Sequence, residues 1–213
     1  RDDNGLWEGH PVEEVATPQA FARDPERVYQ FYNLRRAQLK DPNLKPNPGH
    51  LALARLEKIL GADFTLITQN VDNLHERAGS QRVWHMHGEL QKIRCLQTGE
   101  CFPWTDDLDA TTPHPQGLQS QLRPDVVWFG EVPRYLEESD QVLREADYFL
   151  CAGTSGVVYP AAGFVQLTPP GCKKIEFNIA ETAISALFDE TIVGPTGETL
   201  PLWVDQFLAN LKG

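Results

Sequence analysis

Apolar residues recur along this chain at two different spacings, and the two spacings alternate. From Pro18 to Lys40, Phe21, Val28, Phe31, Tyr32 and Leu39 recur at intervals near three or four. That spacing predicts a helix over 18–40, opened by Thr17 as N-cap with Pro18 in the first turn. HLALARLEKIL (50–60) predicts a second amphipathic helix, ended by Gly61. FTLIT (64–68) is a short β-branched run bounded by polar residues, the pattern of a buried parallel strand. QNVDNLHERAG (69–79) is polar, then helical, and is closed by Gly79. VWHMHG (83–88), ADYFLCAG (146–153), KKIEFNI (173–179) and DETIVG (189–194) predict further strands, and LPLWVDQFLANLK (200–212) a closing helix.

Strand, polar loop and helix in succession form the βα unit of a doubly wound sheet. The fold class expected is therefore α/β: a Rossmann-like parallel sheet with a small inserted module and a helical subdomain. Residues 16–60 supply the helical segment. Residues 91–122 are turn-rich, lack long periodicity, and read as the insert. Ligands of such a sheet are expected beyond the carboxyl ends of the strands.

Composition narrows the class. The 213 residues suffice for one domain, or one domain with an insert, and 41% are hydrophobic. The net charge of −11 argues against non-specific nucleic-acid binding, which needs Lys and Arg at phosphates. It is compatible with basic partners such as lysine-bearing protein segments. No apolar run approaches the roughly 20 residues that cross a bilayer. RDDNGLWEGH lacks the basic and apolar regions of a secretory signal. A cytoplasmic monomer without membrane contact is the expectation. The four cysteines, Cys95, Cys101, Cys151 and Cys172, are expected as free thiols.

Three polar clusters directly follow predicted strands: Gln69-Asn70-Val71-Asp72, Gly153-Thr154-Ser155-Gly156, and Asn178. Asn and Asp after a strand are often only turn or cap residues. Three at matching strand ends of one sheet point instead to a nucleotide crevice, with small residues and hydroxyls letting backbone N–H groups approach a phosphate. His85 and His87 stand at i, i+2 on a predicted strand, a spacing that suits a metal, or one core histidine beside one surface histidine. A histidine at a strand end, followed by Gly88 and facing such a crevice, is placed as a general base near neutral pH. Val126–Phe129, apolar and β-prone, reads as a buried strand or as an edge for an extended peptide.

TQNVDNLHERAG, HMHGEL, LRPDVVWFGE and GTSGVVYPAAGF, in this order, resemble the sirtuins, and most closely the bacterial class III, CobB-type members. The resemblance runs from GLWE (5–8) to the closing helix, so residues 1–213 read as one sirtuin-type domain. It implies an enzyme, an NAD-dependent protein-lysine deacylase with NAD as co-substrate. Asn70 and Asp72 would hold the nicotinamide side, with Gln69 near the ribose and Val71 among the cofactor-binding residues. Gly153, Thr154 and Ser155 would cradle the phosphates. Asn178, Ile179 and Ala180 would meet the adenosine ribose, and Thr196 the adenine. His87, not His85, matches the family's catalytic base. Val127, Phe129, Gly130 and Glu131 would line the acyl-lysine tunnel and pair with the substrate backbone. In the implied reaction the acyl oxygen attacks the ribose carbon bearing nicotinamide. His87 removes a proton from a ribose hydroxyl, and water completes release of lysine and O-acyl-ADP-ribose.

Tyr32 and Arg35 match the Tyr-x-x-Arg of class III. At i, i+3 on a helix a phenol and a guanidinium face the same way and grip a carboxylate, which suits succinyl- or malonyl-lysine. Arg36 is expected to be a solvated helix residue. The family's Gly-Ala-Gly-x-Ser loop and following Phe-Arg have only their Arg in the sequence, as Arg1, and weaker NAD binding is the expectation for the polypeptide as written. Most sirtuins hold a structural zinc with four cysteines. Here Cys95 and Cys101, with His114 as a third candidate, fall short of four ligands. No metal site is therefore expected, and the insert is expected to be held by packing around Phe102 and Trp104. The competing readings are a plain deacetylase, a mono-ADP-ribosyltransferase, and a non-catalytic NAD or acyl-lysine binding module.

Overall fold

Asp24-Pro25 divides the long helix expected over 18–40. The computed structural model, which describes residues 6–7 and 10–211, has helices at Pro18–Arg23 and Pro25–Leu39. Pro25 has no N–H to donate, and its ring drives Asp24 out of the helical region, to φ −147° and ψ 75°. Each half is capped by its own side chain. Thr17 Oγ1 accepts from Ala20 N at 3.0 Å, and Asp24 Oδ1 accepts from Arg27 N at 3.1 Å. The second predicted helix spans Pro48–Leu60, with Asn47 and His50 closing a reciprocal cap and Gly61 ending it at φ +59°.

The chain forms two units. One holds the residues up to Leu44, Asn70–Asn73 and His85–Arg134. Its sheet is antiparallel, with Gly88–Cys95 between Cys101–Pro103 and Leu122–Val126. The stretch read as an insert from 91 to 122 is thus mostly the middle of a three-stranded sheet that starts at Gly88 and ends at Val126. Short strands and a wide loop hid its period. Val28, Tyr29, Phe31 and Tyr32 of the Pro25–Leu39 helix pack with Phe21, Ile93, Leu108, Leu122 and Trp128 into one buried cluster. Phe102 and Trp104 pack against that cluster. Burying each such side chain contributes about 1.5–3 kcal/mol.

The other unit holds Lys45–Gln69, Leu74–Trp84 and the residues from Tyr135 onward. Its sheet is parallel, with Lys173–Asn178 between Tyr148–Ala152 and Glu190–Val193. Ala52 and Leu56 of the Pro48–Leu60 helix pack with Ile175 and Phe177 of the sheet and Leu200, Val204 and Leu208 of the Thr196–Asn210 helix. The FTLIT strand is shorter than expected, Leu66–Thr68, and pairs with the strand that begins at Val83. The helical segment read as 16–60 is divided, since Lys45 opens the part that belongs to the parallel-sheet unit. Among the described residues no helix is long and apolar enough to cross a membrane.

Candidate active site

His87 lies beyond the strand on which it was expected. The strand is Val83–His85, and Met86 and His87 form a turn into the Gly88–Cys95 strand. The two histidines therefore do not share a strand face. His85 is 4% exposed, and its Nδ1 stands 3.1 Å from the Asn70 carbonyl. A carbonyl only accepts, so His85 Nδ1 carries the proton. His85 thus braces the Asn70 backbone, while His87 is partly exposed. Gly88 makes the turn possible. It has φ +80°, and a Cβ there would lie 2.1 Å from the Asp125 carbonyl oxygen. The backbone carbonyl of His87 accepts from Val127 N at 2.8 Å.

The apolar strand expected at Val126–Phe129 lies earlier, at Leu122–Val126, with all five residues buried. Val127 to Glu131 leave it as a turn. Phe129 N donates to Ala16 O at 3.0 Å, Glu131 N donates to Trp128 O at 3.0 Å, and Gly130 takes φ +89°. Phe129 and Gly130 are exposed, and Val127 and Glu131 partly so. Glu131 is held from within. Its oxygens accept from Arg123 Nη1 at 2.6 Å and Nη2 at 2.9 Å, and from Trp128 N at 2.7 Å. Burial alone would raise the Glu131 carboxyl, but Arg123 and the Trp128 N–H outweigh it and hold the group below the usual carboxylate range. Its geometry is that of a turn lock. Arg123 in turn lies over the Trp128 ring at 3.3 Å.

Tyr32 is fully buried, and its hydroxyl oxygen accepts from Trp128 Nε1 at 2.9 Å. Burial pushes its ionisation up, against the pull of Trp128, Arg123 and Arg35, so the phenol stays neutral. Arg35 is partly buried. Its guanidinium lies over the Phe31 ring at 3.3 Å and donates to the Phe31 carbonyl at 2.9 Å. Arg36 is not the solvated residue that was expected. It is 1% exposed and donates to Leu90 O at 3.0 Å, Asn33 Oδ1 at 2.7 Å and Asp106 O at 3.2 Å. It ties the helix to the antiparallel sheet, and burial lowers its pKa to about 10.

In the parallel-sheet unit, Gly153 to Gly156 follow the Tyr148–Ala152 strand directly. Gly153 and Gly156 take φ +66° and +69°, and Gly153 and Ser155 are exposed. Two predicted ribose residues brace this loop. Asn178 Nδ2 donates to Thr154 O at 2.6 Å, and Gln69 Nε2 donates to Thr154 Oγ1 at 3.3 Å. Ile179 and Ala180 are exposed just past the strand end. Thr196 opens the closing helix, and its Oγ1 would lie 4.0 Å from a Cβ on Gly153. An exposed glycine loop with hydroxyls and small side chains fits a dinucleotide phosphate. Asn70 is exposed, with Val71 and Asp72 partly so, in the other unit. Leu90 N donates to the Val71 carbonyl at 2.7 Å. Arg1 lies outside the described residues.

A four-ligand zinc does not fit these residues. Among the described residues no group of three His, Cys, Asp or Glu side chains is arranged to hold a metal ion. Cys95 is buried and its thiol donates to Ser120 Oγ at 3.3 Å, whereas Cys101 is exposed, with its thiol 3.7 Å from Gly99 O. His114 packs edge-on to Phe102 at 5.4 Å. All four cysteines are free thiols.

Sequence reasoning did not single out Trp128 and Arg123, which hold the turn at 128–131 through Glu131. Arg123 and Asp125 inside an otherwise apolar run were the available signal. Asp125 is fully buried between Arg94 at 3.0 Å and Arg134 at 3.0 Å, so this strand carries an ionic network as well as a core face.

Residues 1–160 match the Sir2 family. A protein of Bdellovibrio bacteriovorus named NAD-dependent protein deacylase is 55% identical over 209 residues, covering 98% of this chain and 88% of the relative. A solved Sir2 homolog–NAD complex superposes with a TM-score of 0.87 at 40% identity, covering 99% of this chain and 83% of that one. Sir2Af2 bound to a myristoylated histone peptide superposes with a TM-score of 0.76 at 34% identity, covering 94% and 86%. On this likeness along nearly its whole length, the chain belongs to the Sir2 family.

Proposed function

We propose that the chain is an NAD-dependent protein-lysine deacylase that removes succinyl and malonyl groups, with acetyl as a further substrate, and releases nicotinamide and O-acyl-ADP-ribose. The observation that carries the reading is the 2.8 Å bond from Val127 N to the His87 carbonyl. It fastens the backbone of the base to the segment that would line the acyl-lysine, so His87 and the substrate strand keep a common frame.

In this reading His87 takes a proton from a ribose hydroxyl of the co-substrate. NAD, when bound, supplies the glycosidic bond whose cleavage drives the transfer. Gln69, Asn70, Val71 and Asp72 serve its nicotinamide side, and Gly153, Thr154 and Ser155 its phosphates. Asn178, Ile179, Ala180 and Thr196 serve its adenosine. Arg1 belongs with this group. Val127, Phe129, Gly130 and Glu131 present the peptide side, Glu131 by locking the turn. The NAD-bound homolog and the myristoyl-peptide complex named above support both halves of the reading.

Arg35 carries the acyl preference. Its charge lies over an aromatic ring and is partly withdrawn from water, where a carboxylate gains more than at an open surface. Tyr32 offers a neutral hydroxyl beside it. A cytoplasmic monomer acting on acyl-lysine proteins completes the proposal. Initial rates on matched succinyl, malonyl and acetyl peptides with NAD test it. Faster turnover of the two acidic acyl groups is expected, and preference for acetyl would overturn the acyl assignment. NAD and acyl-peptide binding without any acyl loss would make the chain a non-catalytic binding module.

A further inference from the structure

Glu176 stands in the middle strand of the parallel sheet with none of its surface exposed. Three hydroxyls donate to its carboxyl group: Thr182 Oγ1 at 2.6 Å, Thr191 Oγ1 at 3.3 Å, and Ser185 Oγ. Thr191 is its register partner on the neighbouring strand. Among the described residues no cation forms an ion pair with it. An apolar side chain would fill this place with less desolvation cost, so the carboxyl's contribution lies in what its hydrogen bonds hold.

They hold the stretch that leaves the strand after Asn178. Thr182 N donates to Ser185 Oγ at 2.8 Å, so the two hydroxyl-bearing residues close a small turn over the carboxyl. Ile184, inside that turn, stands against Gly156. A Cβ on Gly156 would lie 2.7 Å from Ile184 Cγ1 and 3.3 Å from Thr182 Oγ1. Gly156 closes the Gly153–Gly156 loop, whose Thr154 carbonyl is already held by Asn178.

We infer that Glu176 is a positioning residue for the dinucleotide loop: it anchors the turn at 182–185, and that turn packs against Gly156, in the loop whose Thr154 carbonyl Asn178 holds. The inference rests on the reading of Gly153–Ser155 as the phosphate cradle. Glu176 touches no reacting atom in this account. It sets how well the loop is formed before the co-substrate arrives.

Two near-isosteric variants test it. Glu176→Gln turns one acceptor into a donor, and Thr182→Val removes one of the hydroxyls. Titration calorimetry with ADP-ribose is expected to show Kd raised about fivefold in each, the size of one lost hydrogen bond. Hydrogen exchange at residues 153–156 in the ligand-free protein should quicken in both. KM for NAD should rise in step, while kcat and the peptide KM stay within about twofold. Unchanged Kd and exchange in both variants would overturn the inference, as would a parallel loss in kcat and in both KM values. Ser155→Ala separates the two levels. If it weakens ADP-ribose binding and the other variants do not, Glu176 alone is misread. If it too has no effect, the phosphate-cradle reading falls with it. Should Glu176→Gln fail to fold, Thr182→Val carries the test, its target being a turn outside the strands.

Discussion

Trp128 Nε1 donates a 2.9 Å hydrogen bond to the hydroxyl oxygen of Tyr32, 96 residues earlier in the chain. The bond occupies one lone pair of the phenol and so restricts the direction of its O–H. Trp128 is itself fixed by Arg123, whose guanidinium lies 3.3 Å from its ring centroid. The orientation of the Tyr32 hydroxyl thus depends on the same lock that shapes the turn at 128–131.

Acyl preference should follow this arrangement. Arg35→Met is expected to lower the succinyl-to-acetyl ratio of kcat/KM by about 10- to 100-fold, the range of a charge-assisted pair. Trp128→Phe keeps an aromatic ring but loses the N–H, and should lower the ratio about fivefold. A ratio within one preparation cancels differences in folded fraction. Equal losses on both peptides would show that neither residue reads the acyl carboxylate.

The Arg123–Glu131 pair predicts a pH dependence of stability. The carboxyl of Glu131 lies below its ordinary value of 4.5 in the folded chain. A carboxyl depressed in this way stabilises the fold above its unfolded pKa and loses that contribution as pH falls through the folded one. Glu131→Gln leaves the buried Arg123 without its counter-charge, at a cost of about 3 kcal/mol. Denaturant melts should show the full difference from wild type above about pH 4.5, shrinking in more acid solution. A difference constant down to pH 3 would contradict this assignment.

Gly88 should tolerate no side chain. A Cβ would meet the backbone oxygen of Asp125 at 2.1 Å, and φ +80° is costly for other residues. Gly88→Ala is expected to cost more than about 3 kcal/mol and to abolish turnover by moving His87. Chemical denaturation and a rate assay check both. A variant of native stability and native rate would contradict the turn described here.

Folding of the antiparallel unit should be independent of metal. Protein purified without chelator is expected to carry no stoichiometric zinc by elemental analysis, and EDTA should leave its Tm unchanged. Stoichiometric zinc, or a fall in Tm with EDTA, would show that Cys95, Cys101 and His114 hold a metal after all.

Much of this was legible in the sequence where the determinant is local. Thr17-Pro18, Gly61 and the apolar runs at 148–152 and 173–178 mark elements because caps, glycine and β-branched runs act over a few residues. The break at Asp24-Pro25 is equally local, but the apolar period runs across it and masks it. Arg36 could not be read. Its burial depends on Leu90 and Asp106, which are distant in sequence. Glu176 and Trp128 were hidden for the same reason, since their partners come from other elements. The site clusters at 69–72, 153–155 and 178 were visible as polar residues after strands. That Gln69 and Asn178 also brace Thr154 required the fold.

The most direct test of the account incubates the protein with NAD and a succinyl-lysine peptide, and follows nicotinamide and peptide mass together. Steady-state nicotinamide release is expected in step with loss of the succinyl group, both dependent on NAD and both reduced by about a thousandfold or more in His87→Ala. Acyl loss without NAD, nicotinamide release uncoupled from acyl loss, or full activity in His87→Ala would contradict it.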